Sequence, residues 1–383
     1  MKYCLIGLFL SAYLSTGLTL ADSRQPISKS IQSKSLSTSQ SYTVWLPESY
    51  GQEEATAYPL LIILDGQKYG DLVSQVARFL ARSGDIPEHV IVAINVKNRL
   101  LNYTPTDSSD WEGDGGASNF LKYVTDELLP IIENDFRLTK TRILWGHSAA
   151  GLFTMYALMN GSDSFNAYLV NDGSLDWDNQ YIYNELKKYL LNQPPQKKFL
   201  YFNSSFLNPN VPEQFRFIEP IVDALSSNSN SKFRWIYKAM PTESHASIPL
   251  LGSVHGLKSL YEGYRIPENV IVRGLPEIKA YFDSVKDQIG AREKIPESVL
   301  IDTGLIQMQD NPEDAIPVFR YCILQYPESL SAREWLIEAH ILNQQPEYAI
   351  KVLEQAINIA KAKHKERVDE LIDKRKKLME RAR

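Results

Sequence analysis

The 383-residue chain has only two cysteines, and Cys4 lies in an N-terminal segment that we expect to be removed. The remaining Cys322 cannot form an internal disulfide, so the fold must depend on its core, which is feasible at this length. The body of the chain has no long basic run and the net charge is −5, so nucleic-acid binding is disfavoured. After the first residues, no apolar run is long enough to cross a bilayer.

The first 21 residues have the pattern of a secretory signal peptide. Lys2 is followed by an apolar centre at residues 5–14 and by Thr19-Leu20-Ala21, and we expect cleavage after Ala21. A membrane anchor is the alternative, but serine, threonine and glycine make this stretch polar for a spanning helix. We therefore expect a periplasmic or secreted protein without stable membrane insertion after cleavage.

Most of the chain has the pattern of an α/β domain. Residues 22–40 are rich in serine, glutamine and lysine and are predicted to be flexible. Across residues 41–290, apolar segments alternate with helical patterns, which predicts a mostly parallel sheet with helices on both faces. The predicted strands are 42–46, 60–64, 90–94, 143–145, 167–170, 199–202 and 233–237. Reacting groups gather at the C-terminal ends of the strands in such sheets.

Residues 291–383 contain no strand pattern and are predicted to form a small all-α region. Asp314-Ala315-Ile316 and Tyr348-Ala349-Ile350 lie 34 residues apart, a spacing typical of tetratricopeptide repeats. Two interpretations stay open. The helices either recruit a protein partner or only pack on the preceding domain.

Residues 142–153 have the form of a nucleophile elbow. An apolar strand leads into a sharp turn with Ser148 at its apex, and a helical segment follows at once. Small residues surround the serine because the turn is strained and the helix passes close to neighbouring strands. The usual G-x-S-x-G pattern has Ala150 at its fifth position here, where we expect a methyl group to fit. Ser148 is therefore the candidate nucleophile.

His245 is the candidate general base. It follows the predicted strand 233–237 through a short loop, and α/β-hydrolases present their histidine after the serine and after the last strand. His147 lies inside the elbow, with its side chain expected to point away from Ser148. His255 falls in the following helix, where it is less free to reach the serine.

The sequence leaves open which group orients the imidazole of His245. Glu213 ranks first, because it is the first carboxylate after the strand where the acid is commonly found. The other carboxylate candidates are Asp172, Asp176 and Glu243. A serine–histidine dyad, with a backbone carbonyl or an asparagine orienting the base, is a further alternative.

The expected oxyanion hole combines the backbone N–H of Ala149 with one from Gln67 or, failing that, Gly66. Glycine at that position would let the backbone approach the substrate oxygen. The aromatic side chains proposed as substrate walls are Tyr69, Trp111 and Trp177. This chemistry requires neither a metal nor an organic cofactor.

Taken together, these segments resemble the esterase branch of the α/β-hydrolases, which includes the ferric-enterobactin and salmochelin esterases and is related to esterase D. The matching segments are 44–47, 64–67, 104–106, 127–132, the elbow, 174–178, 243–250 and 260–263. The resemblance covers residues 28–266 and implies ester hydrolysis by Ser148 and His245. Part of this family carries a tetratricopeptide-like tail, which would account for residues 291–383. Ala150, Ala246 and the missing acid after Phe202 depart from the family pattern.

The sequence therefore predicts an exported serine carboxylic-ester hydrolase that acts through an acyl-enzyme. Its substrate would be a small acyl ester, an acylated sugar or a siderophore-like lactone. One alternative is a catalytically inactive hydrolase fold that binds a partner protein through its helical tail. Another is an acyltransferase, in which an alcohol replaces water.

Overall fold

The computed structural model describes residues 25–51, 56–107, 115–161, 163–192, 197–205, 217–228, 230, 232–290 and 292–381. The predicted signal peptide lies outside these residues. The chain divides into two compact units, of which the first is Met1–Ser83 with Pro87–Leu260 and the second is Gly84–Ile86 with Tyr261–Arg383.

The division falls earlier than the predicted boundary at residue 290. Ile266 and Ile278 share a hydrophobic core with Ile295 and Leu300. The segment that follows residue 260 therefore belongs with the C-terminal helices, because it buries its apolar side chains among theirs.

The first unit is built on one eight-stranded sheet with the order β1-β2-β4-β3-β5-β6-β7-β8. The strands are Ile27–Gln32 (β1), Ser39–Trp45 (β2), Tyr58–Ile63 (β3), Val90–Asn95 (β4), Leu138–His147 (β5), Ala167–Asn171 (β6), Lys198–Ser205 (β7) and Phe233–Met240 (β8). β2 pairs antiparallel with β1 and β4, and all other neighbours are parallel. The predicted mostly parallel sheet is confirmed, with all seven predicted strands in it.

The described part of residues 22–40, which the sequence predicts to be flexible, contains β1 and the start of β2. β1 is an edge strand whose side chains are mostly exposed. It therefore lacks the apolar run by which central strands are recognised. The turn after β1 is fixed by the carboxylate of Glu127, which accepts hydrogen bonds from the N–H groups of Lys34 and Ser35 at 3.1 and 2.8 Å.

Helices cover both faces of the sheet. In the first unit they are α1 (Gly66–Arg82), α2 (Arg99–Tyr103), α3 (Ala117–Lys122), α4 (Leu129–Asp135), α5 (Ala149–Asn160), α6 (Trp177–Leu191), α7 (Ile218–Ser226) and α8 (Ile248–Leu260), with a π-helical segment Tyr123–Leu128 between α3 and α4. α1 and α8 pack together on one face, while α5 contacts α2, α3 and α6 on the other. Because successive side chains of a strand point to opposite faces, the central strands are buried on both sides, as the fully buried β3 shows.

The second unit is all-α, as predicted. Its helices are α9 (Glu268–Ile271), α10 (Leu275–Val285), α11 (Glu297–Asp310), α12 (Pro312–Gln325), α13 (Leu330–Leu342), α14 (Pro346–Lys363) and α15 (Val368–Arg381), with a 3₁₀ turn Lys365–Arg367 before α15. Ala315 in α12 and Ala349 in α14 are the middle residues of the two sequence copies and are both fully buried. The tetratricopeptide assignment stays a prediction. Among the described residues, no helix combines the length and the apolarity needed to span a membrane.

Candidate active site

Ser148 forms the turn between β5 and α5. Its φ of 60° and ψ of −123° are a conformation that L-residues rarely adopt. The Ser148 N–H donates to the carbonyl of Asn171 at 3.1 Å, and the Ser148 carbonyl accepts from the N–H of Ser174 at 3.2 Å. The turn is thus tied to the segment after β6, and a strained turn of this kind presents the serine hydroxyl over the edge of the sheet.

Close packing explains the small residues around the serine. A Cβ atom at Gly146 would lie 2.2 Å from the carbonyl oxygen of Ala150, and one at Gly151 would lie 2.8 Å from the Cα of Gly173. Ala150 itself is fully buried. Its methyl group fits, so the departure from the usual motif does not disturb the elbow.

His245 and Asp172 meet at the C-terminal ends of their strands. Nδ1 of His245 lies 2.7 Å from Oδ2 of Asp172. The carboxylate can only accept at this distance, so Nδ1 carries the proton and the neutral imidazole keeps a lone pair on Nε2. Asp172 is 8% exposed, whereas the His245 side chain is 45% exposed. The pair therefore joins a buried acceptor to a base that solvent and substrate can reach.

Ser205, at the end of β7, completes the hydrogen bonding of Asp172. Its N–H donates to Oδ1 at 2.9 Å and its hydroxyl to Oδ2 at 2.6 Å. Burial raises the pKa of Asp172, but the hydrogen bonds from His245 and Ser205 outweigh burial and hold this pKa below its usual value of 3.8. Asp172 is therefore ionised at neutral pH.

The backbone of Asp172 is also held. Its φ is 42°, and its N–H donates to Oδ1 of Asn203 at 2.9 Å. The amide of Asn203 in turn donates to Oδ1 of Asn171 at 2.9 Å. These contacts fix the direction of the carboxylate before any ligand arrives.

Ser148, Asp172 and His245 line one cavity of about 230 Å³. The other lining residues are Gly173, Ser174, Leu175, Asp176, Ser204, Ser205, Phe217 and Ile218. The walls combine hydroxyl groups with apolar side chains. The cavity lies at the C-terminal ends of the parallel strands, where the sequence predicts the reacting groups.

The two expected oxyanion donors each lie in the first turn of a helix. Ala149 begins α5 and Gln67 is the second residue of α1, so neither N–H has an acceptor within its own helix. The side chain of Gln67 is engaged at both ends by the backbone of Val96, with its Nε2 donating at 2.8 Å and its Oε1 accepting at 3.1 Å. Gln67 can therefore contribute only its backbone to an oxyanion hole.

Gly66 lies directly against a neighbouring strand. A Cβ atom there would lie 2.7 Å from the carbonyl carbon of Ala93 in β4. Glycine is thus required because α1 begins directly against the neighbouring strand.

Asp65 anchors the loop that leads into α1. It is 1% exposed and has a φ of 52°. Both of its carboxylate oxygens accept from Nε of Arg99 at 2.9 Å. The Tyr103 hydroxyl accepts from the Asp65 N–H at 3.1 Å and donates to the carboxylate at 3.2 Å. This loop places the N-terminus of α1, and its partners Arg99 and Tyr103 could not be recognised from the sequence.

Several predicted site residues lie elsewhere. Tyr69 is buried beneath the site and its hydroxyl contacts His147, so the structure does not place it on the substrate wall. Glu243 accepts from the hydroxyl of Ser247 at 2.8 Å, within its own loop. Glu213 and Trp111 lie outside the described residues.

The remaining candidates do not join the pair. Asp176 lines the cavity, and the indole of Trp177 donates to the hydroxyl of Thr106 at 2.9 Å. His255 lies in α8, with Nε2 3.1 Å from Nζ of Lys238. Across the described ranges, no group of three or more His, Cys, Asp or Glu side chains is arranged to hold a metal ion.

Comparison with known proteins identifies the class. The family model described as "Putative esterase" matches residues 33–246, which is more than half of the chain. The chain belongs to this family.

Two curated relatives and one solved structure illustrate the likeness. The ferri-bacillibactin esterase BesA of Bacillus subtilis is 27% identical over 163 residues, covering 37% of this chain and 56% of that protein. The apo-salmochelin esterase of Escherichia coli is 28% identical over 152 residues, covering 35% and 47%. The chain thus spans about half the length of these relatives. An IroE-like serine hydrolase from Shewanella oneidensis has the same fold, with a TM-score of 0.64 at 24% identity, covering 88% of this chain and 100% of that one.

Proposed function

We propose that the protein is a serine esterase in which Ser148 is the nucleophile, His245 the general base and Asp172 the acid that orients it. The observation that carries this proposal is the 2.7 Å hydrogen bond between His245 and Asp172 in the cavity that also contains the strained serine. This arrangement meets the requirements of a nucleophile, a base and a group that orients the base.

Each group has a step in the reaction. Oγ of Ser148 attacks the ester carbonyl carbon while its proton passes to Nε2 of His245. The N–H groups of Ala149 and Gln67 stabilise the resulting oxyanion. The protonated His245 then gives its proton to the departing alcohol, which leaves an acyl-enzyme. Water, deprotonated by His245, releases the acid and restores Ser148, while Asp172 stays ionised throughout.

For the substrate we propose a small acyl ester or a siderophore-like lactone. Two relatives are named as esterases of bacillibactin and salmochelin. A cavity of about 230 Å³ with hydroxyl-bearing and apolar walls suits an acyl group of modest size. We further propose that the protein acts outside the cytoplasm, on the basis of the signal-like first 21 residues.

The test is hydrolysis of p-nitrophenyl acetate and butyrate by the protein and its Ser148→Ala variant. We expect turnover to fall by about 10⁶-fold in the variant without loss of folding. Ser204→Ala is the matched control, because Ser204 lines the same cavity but its hydroxyl is engaged by Tyr237 at 2.7 Å. Near-normal turnover by Ser148→Ala would show that the nucleophile lies elsewhere.

A further inference from the structure

A chain of two hydrogen bonds connects α1 to the loop that carries His245. The hydroxyl of Tyr69 lies 2.8 Å from Nδ1 of His147. On the other side of the same ring, Nε2 of His147 lies 2.7 Å from the backbone carbonyl oxygen of His245. The rings of His147 and His245 are in contact, with centroids 4.4 Å apart. The residue before the nucleophile therefore holds the backbone of the base.

The chemistry of the partners fixes the protonation of His147. A carbonyl oxygen only accepts, so Nε2 must carry a hydrogen. In a neutral imidazole Nδ1 is then an acceptor, which is satisfied by the hydroxyl of Tyr69. Burial lowers the pKa of His147 to about 4, and nearby His245 contributes to this shift. His147 is thus an uncharged donor at neutral pH.

The backbone at His245 needs such a support. The His245 side chain is 45% exposed and stands on a loop between β8 and α8. Within that loop, Ser244 and Ser247 hydrogen-bond to each other, which closes the turn but does not tie it to the sheet. His147 is 2% exposed and forms the end of β5, so its donor is held rigidly by the core.

We infer that His147 is a positioning residue: its Nε2–H holds the His245 backbone so that the imidazole stays between Asp172 and the cavity, and Tyr69 selects the required tautomer. This inference rests on the proposed esterase function. An uncharged ring is suited to this place, because a cation in contact with His245 would oppose the positive charge that the base acquires during turnover.

The test compares three variants in p-nitrophenyl butyrate hydrolysis. His147→Leu removes both hydrogen bonds and should lower kcat by about 100-fold with little change in KM, as expected when a reacting group is misplaced by about 1 Å. His147→Gln keeps an N–H donor of similar reach and should recover kcat to within about tenfold of the original protein. Tyr69→Phe should lie between the original protein and His147→Leu.

Two further readouts keep the inference falsifiable. The ¹⁵N shifts of the His147 ring should show the neutral Nε2–H tautomer at pH 7, whether or not the protein is active. A protonated ring or the Nδ1–H tautomer would overturn the inference, and so would a Gln variant as impaired as the Leu variant. Ser148→Ala is measured alongside. If it abolishes turnover while His147→Leu keeps normal kcat, only the positioning role fails. If Ser148→Ala stays active, the esterase proposal itself fails.

Discussion

Two buried aspartates that follow strands of the same sheet differ in the group that pairs with their carboxylate. Asp65 follows β3 and Asp172 follows β6, and both have a positive φ, of 52° and 42°. The carboxylate of Asp65 is paired with the guanidinium of Arg99, with Nη2 2.8 Å from Oδ2. The carboxylate of Asp172 is paired with an imidazole at 2.7 Å. Both aspartates are buried with a positive φ, and the groups that pair with their carboxylates differ.

The partner decides what each carboxylate can do. Arg99 stays charged at every accessible pH, so the Asp65 pair is permanent and serves to hold the loop before α1. The imidazole of His245 has a second ring nitrogen that can accept a proton, so the Asp172 pair can persist while the base takes up and returns a proton during a reaction. An aspartate after a parallel strand is therefore structural or functional according to the group that reaches it.

Neutralising each aspartate should have the largest effects, on activity for Asp172 and on stability for Asp65. Asp172→Asn should lower kcat by about 10⁴-fold, because the orientation and the tautomer of His245 are lost. Asp65→Asn should act mainly on stability. Steady-state hydrolysis and urea unfolding of both variants separate the two effects. Glu213→Gln tests the acid that the sequence ranks first, and it should leave kcat unchanged when Asp172 is the acid. A large drop in that variant, with Asp172→Asn active, would reassign the acid.

The next largest effect should come from removing Arg99, the cation that pairs with Asp65. Arg99→Ala leaves the carboxylate of Asp65 buried without its counter-charge, which should lower the free energy of unfolding by about 3 kcal/mol. Lys29→Ala removes the exposed pair with Asp135 and should cost about 1 kcal/mol or less. Urea unfolding measures both. Equal losses in the two variants would mean that the Arg99 pair contributes no more than an ordinary surface pair.

Acid should lower the free energy of unfolding, because the buried His147 and His89 resist protonation in the folded protein. Burial lowers the pKa of His147 to about 4 and that of His89 to about 3, so the unfolded chain takes up these protons first. Stability should be complete above about pH 6.5 and should fall toward pH 4, by about 1.4 kcal/mol per pH unit for each histidine. Urea midpoints at pH 7, 6 and 5 give the slope. His147→Gln should show a shallower slope, and an unchanged slope would contradict this assignment.

The sequence was sufficient for the parts of the fold that depend on buried apolar runs. The seven predicted strands, the elbow and the position of His245 follow from local pattern and chain order. β1 escaped prediction because an exposed edge strand carries no apolar run. The boundary near residue 260 depends on which helices share a core, which a composition shift does not reveal.

The residues that contact His245 could not be predicted from local pattern and chain order. Chain order favours an acid after β7, yet Asp172, after β6, lies beside His245, 73 residues away in sequence. A local sign existed in Asn171-Asp172-Gly173, since an aspartate followed by glycine directly after a buried strand often takes a positive φ. The contact of His147 with His245 spans 98 residues and depends on the packing of the end of β5 against the loop between β8 and α8.

Packing at the elbow determines which positions of the motif must be glycine in a sequence search. Space at the turn demands glycine at Gly146, where a Cβ atom would meet backbone, but admits the methyl group of Ala150. A search pattern that requires glycine at both ends of the motif would pass over this chain. The geometry requires glycine two residues before the serine, and it admits either glycine or alanine two residues after the serine.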